Sequence, residues 1–366
     1  MLLTPIILFV ILMILLYVPP VQNFIRKQAT AIASDATGMN ISVERIDLRF
    51  PLNLLVRGVQ VVQPGSDTID IQHPDTLLNL GSLNIRVQAW PLLKGRVEVD
   101  DITLQRVAVN SSGLLEGMRI KGTLGRFFLA SHGIDLNKED AVLNRVELSD
   151  THVQVMLADT TETPEDTTET ALNWRVALHS LKLKNVSVDL QMPLDSMSLA
   201  ATIGDASIED AEADLKRQFY GWRKFALTGT SVNYDTGTAV PAEGFDASHI
   251  ALRDIRIGID SVMTCGRDMN AVIREFSMYD RSGLTVTSLT GRLFADSTLI
   301  RIPYLQLKTP HSDMDLTAQT YWKLVDIPTT GQLSARFNAN IGKQDVLLFA
   351  GGLPETFKEA YPFRPL

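Results

Sequence analysis

The sequence predicts a mainly β fold: an N-terminal transmembrane helix, then a long antiparallel repeat array with a few short helices. Three observations lead there. Leu2 to Val18 is almost wholly apolar and uncharged. An eight-residue pattern with strand periodicity recurs along the rest of the chain. Amphipathic helical stretches are scarce, so strands must supply most of the architecture.

The pattern is clearest in Leu181-Lys182-Leu183-Lys184-Asn185-Val186-Ser187-Val188, with apolar residues at positions one, three, six and eight and a short polar residue at five. Val97 to Leu104 (Asp101 at five), Val146 to Val153 (Asp150), Ala201 to Ile208 (Asp205) and Ile250 to Ile257 (Asp254) fit the same template. Looser copies run from Ile41 to Leu48, Leu54 to Val61 (Gly58 at five) and Ile300 to Leu307. At roughly 100° per residue these apolar positions scatter around a helix. In a strand they alternate, slip by one and alternate again on the same face. A β-bulge restores facing in that way, and Asp, Asn and Gly tolerate the positive φ it needs. A tight hairpin at positions four and five is the competing reading, with very short arms.

Taken in order, residues 1–20 are assigned as a transmembrane anchor. Seventeen residues at 1.5 Å each give roughly 26 Å, enough to cross a bilayer core. A cleavable signal peptide competes, but no basic lead and no small-x-small site accompany the span; Pro19-Pro20 follows it. Arg26 and Lys27, taken alone, place the C-terminal side in the cytoplasm. Residues 21–40 read as a short juxtamembrane helix, with apolar residues at helical spacing and Gly38 as the stop. Residues 41–366 read as the array itself, the N-terminal portion of a longer one.

Within the array, strands are predicted over 41–50, 54–62, 78–87, 97–109, 146–157, 174–190, 199–208, 225–234, 249–260, 272–278, 284–294, 299–307 and 314–324. Copies starting at 97, 146, 201, 250 and 300 recur about every 50 residues, a repeat array. Ala158 to Ala171 is Thr-rich, carries five acidic residues and reads as a solvated, mobile loop. Short helices are expected at 211–218 and 354–360.

Composition excludes several functions. Charged residues are 21% and the net charge is −8, which is not the basic footprint of a nucleic-acid binder. The single cysteine, Cys265, permits neither an internal disulfide nor a cysteine metal cluster. The six histidines show no HExxH spacing, and no P-loop, G-x-S-x-G or G-x-G-x-x-G occurs. Ser131-His132 and Ser248-His249 are sequence neighbours, which a strand points to opposite faces. The reading is therefore no enzyme, no cofactor and no metal. Trp90, Trp174, Trp222 and Trp322 are dispersed and suggest core or lining.

An antiparallel sheet with one apolar face must cover that face. It can fold over as a sandwich or barrel, or curl into a trough filled by a ligand with alkyl chains. The anchor and the repeat array favour the trough, an elongated groove of roughly 16 strands extending near 75 Å at about 4.8 Å per strand. Its candidate lining is the apolar set of the repeats: Val97, Val99, Ile102 and Leu104; Leu181, Leu183, Val186 and Val188; Ile250, Leu252, Ile255 and Ile257; Ile300, Ile302, Leu305 and Leu307.

The segment Thr37-Gly38-Met39-Asn40-Ile41-Ser42-Val43 after the anchor, Leu54 to Val62, and Pro91 to Ile102 (PLLKGRVEVDDI) resemble the N-terminus of AsmA-like proteins. Asp280-Arg281-Ser282-Gly283-Leu284, Leu289-Thr290-Gly291, Ile302 to Pro310 (IPYLQLKTP) and Ala350 to Pro354 (AGGLP) resemble TamB-type members found in Bacteroidota. The resemblance covers nearly the whole chain, and its motifs mark architecture. It implies an inner-membrane-anchored periplasmic protein whose curled, taco-like β-groove carries phospholipid acyl chains toward the outer membrane. An alternative implied role is a scaffold for outer-membrane protein assembly and secretion with a BamA-like barrel partner. Family members are much longer and carry a C-terminal domain that this sequence lacks.

Overall fold

A computed structural model describes residues 19–49, 52–63, 76–88, 99–111, 117–135, 138–157, 173–237, 240–241, 244–327 and 331–350. The anchor assigned to residues 1–20 falls almost wholly outside these, as do the acidic loop at 158–171 and the helix expected at 354–360. No described helix is long and apolar enough to cross a membrane. The chain divides into two units, Met1–Asp159 and Thr160–Leu366.

The first unit opens with helix α1 (Pro19–Thr37), which ends at Gly38 with φ 67°, a left-handed stop that suits glycine. Six antiparallel strands follow as a meander: β1 (Asn40–Arg49), β2 (Asn53–Val62), β3 (Thr76–Val87), β4 (Val99–Asn110), β5 (Met118–Asp135) and β6 (Asp140–Leu157). The helix covers the outer edge of β1. Arg26 Nη1 donates to the carbonyls of Val43 (3.0 Å) and Glu44 (3.2 Å), and the Ile41 N–H donates to Ser34 Oγ (3.1 Å). Edge groups that would otherwise invite a foreign strand are thereby satisfied. Arg26 and Ser34 thus meet the sheet with polar groups, while Phe24 and Ile32 are exposed.

The second unit is itself an antiparallel meander that begins with β7 (Arg175–Met192), β8 (Met197–Asp214), β9 (Phe219–Thr236), β10 (His249–Cys265) and β11 (Asp268–Asp280). A two-residue β12 (Thr285–Val286) pairs with β11, and β13 (Ser288–Ala295), β14 (Leu299–Lys308), β15 (Asp313–Tyr321) and β16 (Leu333–Asn340) complete the order. Two short helices, α2 (Trp322–Asp326) and α3 (Lys343–Ala350), interrupt and follow the last strands.

The template's central residue proves to be a crease, and one shared by neighbouring strands. Gly58, Asp150, Asn185 and Asp254, all at position five, have φ between 52° and 60°, and Arg106 and Gly229 join them at 54° and 61°. In the first unit Glu44, Gly58, Gly81, Arg106, Gly125 and Asp150 fall at one level across β1 to β6, left-handed on alternate strands. Asn185, Gly204 and Gly229 repeat the arrangement across β7, β8 and β9. Because each neighbour slips at the same level, the ladder stays in step: β1–β2, β4–β5 and β7–β8 pass the crease without a register shift.

This corrects the bulge reading, in which one strand gains a residue on its partner. True ladder slips do occur in β10, between Leu252 and Ile255, and in β14, between Ile302 and Leu305. At β10 the cause is visible, since Gly229 and Asp254 are both left-handed but not opposite each other.

Steric demand explains the glycines between. A Cβ on Gly81 would lie 3.0 Å from Arg106 Cβ, and one on Gly125 would lie 2.7 Å from Asp150 Cβ. A Cβ on Gly204 would meet the Gly229 carbonyl oxygen at 2.8 Å. At these three places the left-handed neighbour leaves no room for a side chain.

Other expectations need correction. The copy placed at 97–104 is out of phase: Asp101 is buried, pairs with Arg86 at 3.0 Å, and the crease of β4 is Arg106. In β8 the row residue is Gly204, not Asp205. Residues 211–214, expected to begin a helix, extend β8, whereas 322–324, read as strand end, are helical. β5 and β16 were absent from the predicted strands. Gly122 and Gly125 break the alternation of β5.

Candidate functional site

The cross-strand rows define an apolar face in each unit. In the first, Ile46, Val56, Leu83, Leu104, Phe127 and Leu148 lie in one row, and Val43, Val59, Leu80, Val107 and Leu124 in another on the far side of the crease. In the second, Leu183, Ala206, Leu227, Ile257 and Phe276 form one row, with Val188, Ala201, Val232 and Leu252 beyond the crease. The intervening rows are polar, such as Lys182–Ser207 and Ser187–Thr202. Alternating rows place these sets on opposite faces.

Among the described residues, almost nothing covers the apolar rows. Eight apolar side chains are buried among the described residues, five of them alanine or valine, and no large side chain is fully buried. A sandwich of this size would bury many large aliphatic residues between its layers.

Of the sixteen residues expected to line a groove, Val186 and Ile255 are buried and Val188 is exposed. Val97 lies outside the described residues, and the other twelve are half-buried. The second-unit members Leu183 and Ile257 share a row, as do Val188 and Leu252. Leu305 and Leu307 belong to rows that continue into Leu316 and Met314 of β15. Ile102 and Leu104 share their rows with Leu129 and Phe127. Sequence reasoning missed the contributions of β5 and β9, including Leu124, Phe127, Phe225 and Leu227. The signal was present: Gly122 to Leu129 and Phe225 to Val232 each carry three apolar residues at template positions.

Ionisable groups serve the turns. Burial pushes the Asp280 carboxyl up, but hydrogen bonds from the Ser282 hydroxyl and from the Ser282, Ala251 and Arg281 backbone more than offset it, holding its pKa below the usual carboxylate range. Its oxygens accept the Ala251 N–H (3.1 Å) and the Ser282 N–H (2.8 Å), closing the turn whose Gly283 has φ 95°. Asp345 of α3 is likewise buried, which raises its pKa, while hydroxyl donors Ser312 and Thr309 lower it to a net depression. The same helix accepts the Phe245 N–H at Leu348 O (2.8 Å) and sets Phe349 beside Phe245 at 5.5 Å. The DRSGL and LKTP segments thus build turns. Among the described residues, no group of three or more His, Cys, Asp or Glu is placed to hold a metal ion.

Comparison of the chain with protein-family models and with curated proteins finds no match to either.

Proposed function

We propose that the chain is an inner-membrane-anchored, periplasmic carrier of phospholipid, holding acyl chains along a curled β-groove that leads toward the outer membrane. The observation that carries this reading is the uncovered apolar face crossing strand after strand. From Leu181 to Leu190 the apolar band spans nine residue steps, roughly 30 Å at about 3.3 Å each, comparable to a bilayer's hydrocarbon core. Each buried CH₂ contributes about 0.8 kcal/mol without preferred direction, so a chain can slide from row to row. The anchor at residues 1–20 and the resemblance to AsmA-like and TamB-type proteins supply the location. Exposed Phe24 and Ile32 on α1 suit a helix resting at the bilayer surface.

The test is photocrosslinking in cells, with a benzophenone amino acid at Leu183, Leu252 or, as control, Lys182. Labelled phospholipid should attach at Leu183 and Leu252 and not at Lys182. Equal labelling at all three, or none, rejects the groove. A Leu183→Asp variant should keep its far-UV dichroism and lose lipid.

A second reading has its own observation. Strand β16 is exposed along all eight residues, including Leu333 and Phe337, and among the described residues pairs only with β15. Such an edge suits a scaffold that adds strands of unfolded outer-membrane proteins beside a BamA-like barrel. Crosslinks from Phe337 to nascent barrel strands, with none to lipid at Leu183, would favour it.

A further inference from the structure

The opposite, polar face of the first unit carries an arrangement that acyl-chain carriage does not use. A depression of about 510 Å³ opens there, lined by Arg49, Arg57, Arg106 and Arg126 around neutral groups that include Ser82 and Gln105, with no carboxylate in its wall. Arg57, Ser82, Gln105 and Arg126 are consecutive in one cross-strand row from β2 to β5. All four arginines are exposed. Among the described residues Arg49, Arg57 and Arg106 form no ion pair, although nearby Arg45 and Arg86 are neutralised by Asp47 and Asp101. Four guanidiniums around a wall that holds no carboxylate, in a chain of net charge −8, are not an average of its composition.

Arg106 adds an independent observation. At the left-handed crease position β2 and β9 carry glycine, β6 and β10 aspartate and β7 asparagine, the residues that tolerate this backbone. In β4 the residue is arginine, at φ 54°. Its side chain lies across Gly81, where an added Cβ would come within 2.9 Å of Arg106 Nε. Strain kept at this crease position and avoided at those of the other strands points to a use for that side chain.

We infer that this depression is a binding site for a phosphate-bearing anion, gripped by Arg57, Arg106 and Arg126 with Ser82 and Gln105 as neutral hydrogen-bonding partners. Guanidinium forks match phosphate oxygens in pairs, which favours phosphate over a monovalent ion. The inference does not depend on the lipid reading, because the two faces are opposite. The phosphate can come from a soluble ester or from a lipid headgroup.

The experiment uses the full chain in non-ionic detergent at 150 mM salt. Inorganic pyrophosphate is titrated calorimetrically, and short-chain phosphatidate is compared with phosphatidylcholine in mixed micelles. Saturable binding should fall at least tenfold in Arg57→Gln/Arg126→Gln and stay unchanged in Lys182→Gln/Lys184→Gln, which removes equal charge from the second unit. Arg106→Gly should weaken binding while raising the thermal midpoint by about 2–4 °C, since the strain is relieved. Pyrophosphate binding assigns a soluble phosphate. Binding to phosphatidate alone assigns a headgroup. No binding of either, equal loss in the lysine control, or undiminished binding in the arginine variants overturns the proposal.

Discussion

Substituting Gly204 by alanine tests the shared crease most directly. The new Cβ would sit 2.8 Å from the Gly229 carbonyl oxygen and 3.1 Å from that of Thr228. Both are backbone atoms of the adjacent strand, so relief requires β8 and β9 to part where their ladders are in step. Overpacking of this kind costs about 1–3 kcal/mol. For a cooperative unit near the size of the second one, that lowers the thermal midpoint by roughly 2–4 °C per kcal/mol, about 4–8 °C for a cost near 2. Gly133→Ala is the internal control: it also lies within a strand, but nothing stands within 4 Å of an added Cβ. Alanine there should be neutral or stabilise by up to about 1 kcal/mol through the unfolded chain. Thermal and urea unfolding followed by far-UV dichroism give the two values. Hydrogen exchange should localise the Gly204→Ala loosening to β8 and β9. Equal stability of the two variants would refute the argument that the crease excludes a side chain.

Three further outcomes follow from other parts of the fold. Asn185→Gly should leave stability within about 0.5 kcal/mol of wild type, whereas Asn185→Ala should cost about 1–2 kcal/mol, because alanine gains nothing locally at φ 52°; urea midpoints with unchanged slopes decide it. Asp280 has a depressed folded pKa, so its stabilisation is present above the unfolded value near 3.9 and is lost as pH falls through the folded one. Asp280→Asn should therefore lose about 1–3 kcal/mol at pH 7 and show a flatter stability profile below pH 4; a parallel profile would remove the charged carboxylate from the account. Asp345→Asn should speed amide exchange in Lys343–Ala350 and leave that of β7 to β9 unchanged, since its hydroxyl partners lie on the β14–β15 turn; uniform acceleration would contradict a local clasp.

Much of the strand architecture was legible in the residues. The alternation that slips at Asn185, Asp150, Asp254 and Gly58 marked the left-handed positions, because Asn, Asp and Gly adopt that backbone at low cost. The apolar positions of those copies fall in continuous rows for the same reason: a period of two has one buried phase. Where a glycine replaced an apolar residue, as at Gly122 in β5, the pattern faded and the strand was missed. At Arg106 residue type misled, since arginine does not announce a left-handed backbone.

What the sequence alone determined is therefore a chain of strands with one apolar face, and the place of the kink where Asn185, Asp150, Asp254 and Gly58 hold it. What only the tertiary structure decided is that the kinks fall at one level across neighbouring strands, leaving the hydrogen-bonded ladder in step. It also decided that four arginines from β1, β2, β4 and β5 surround one depression. Both depend on pairing register, which is set between strands distant in the chain. Local preference specifies how each strand bends; only the neighbour it meets specifies what that bend lies beside.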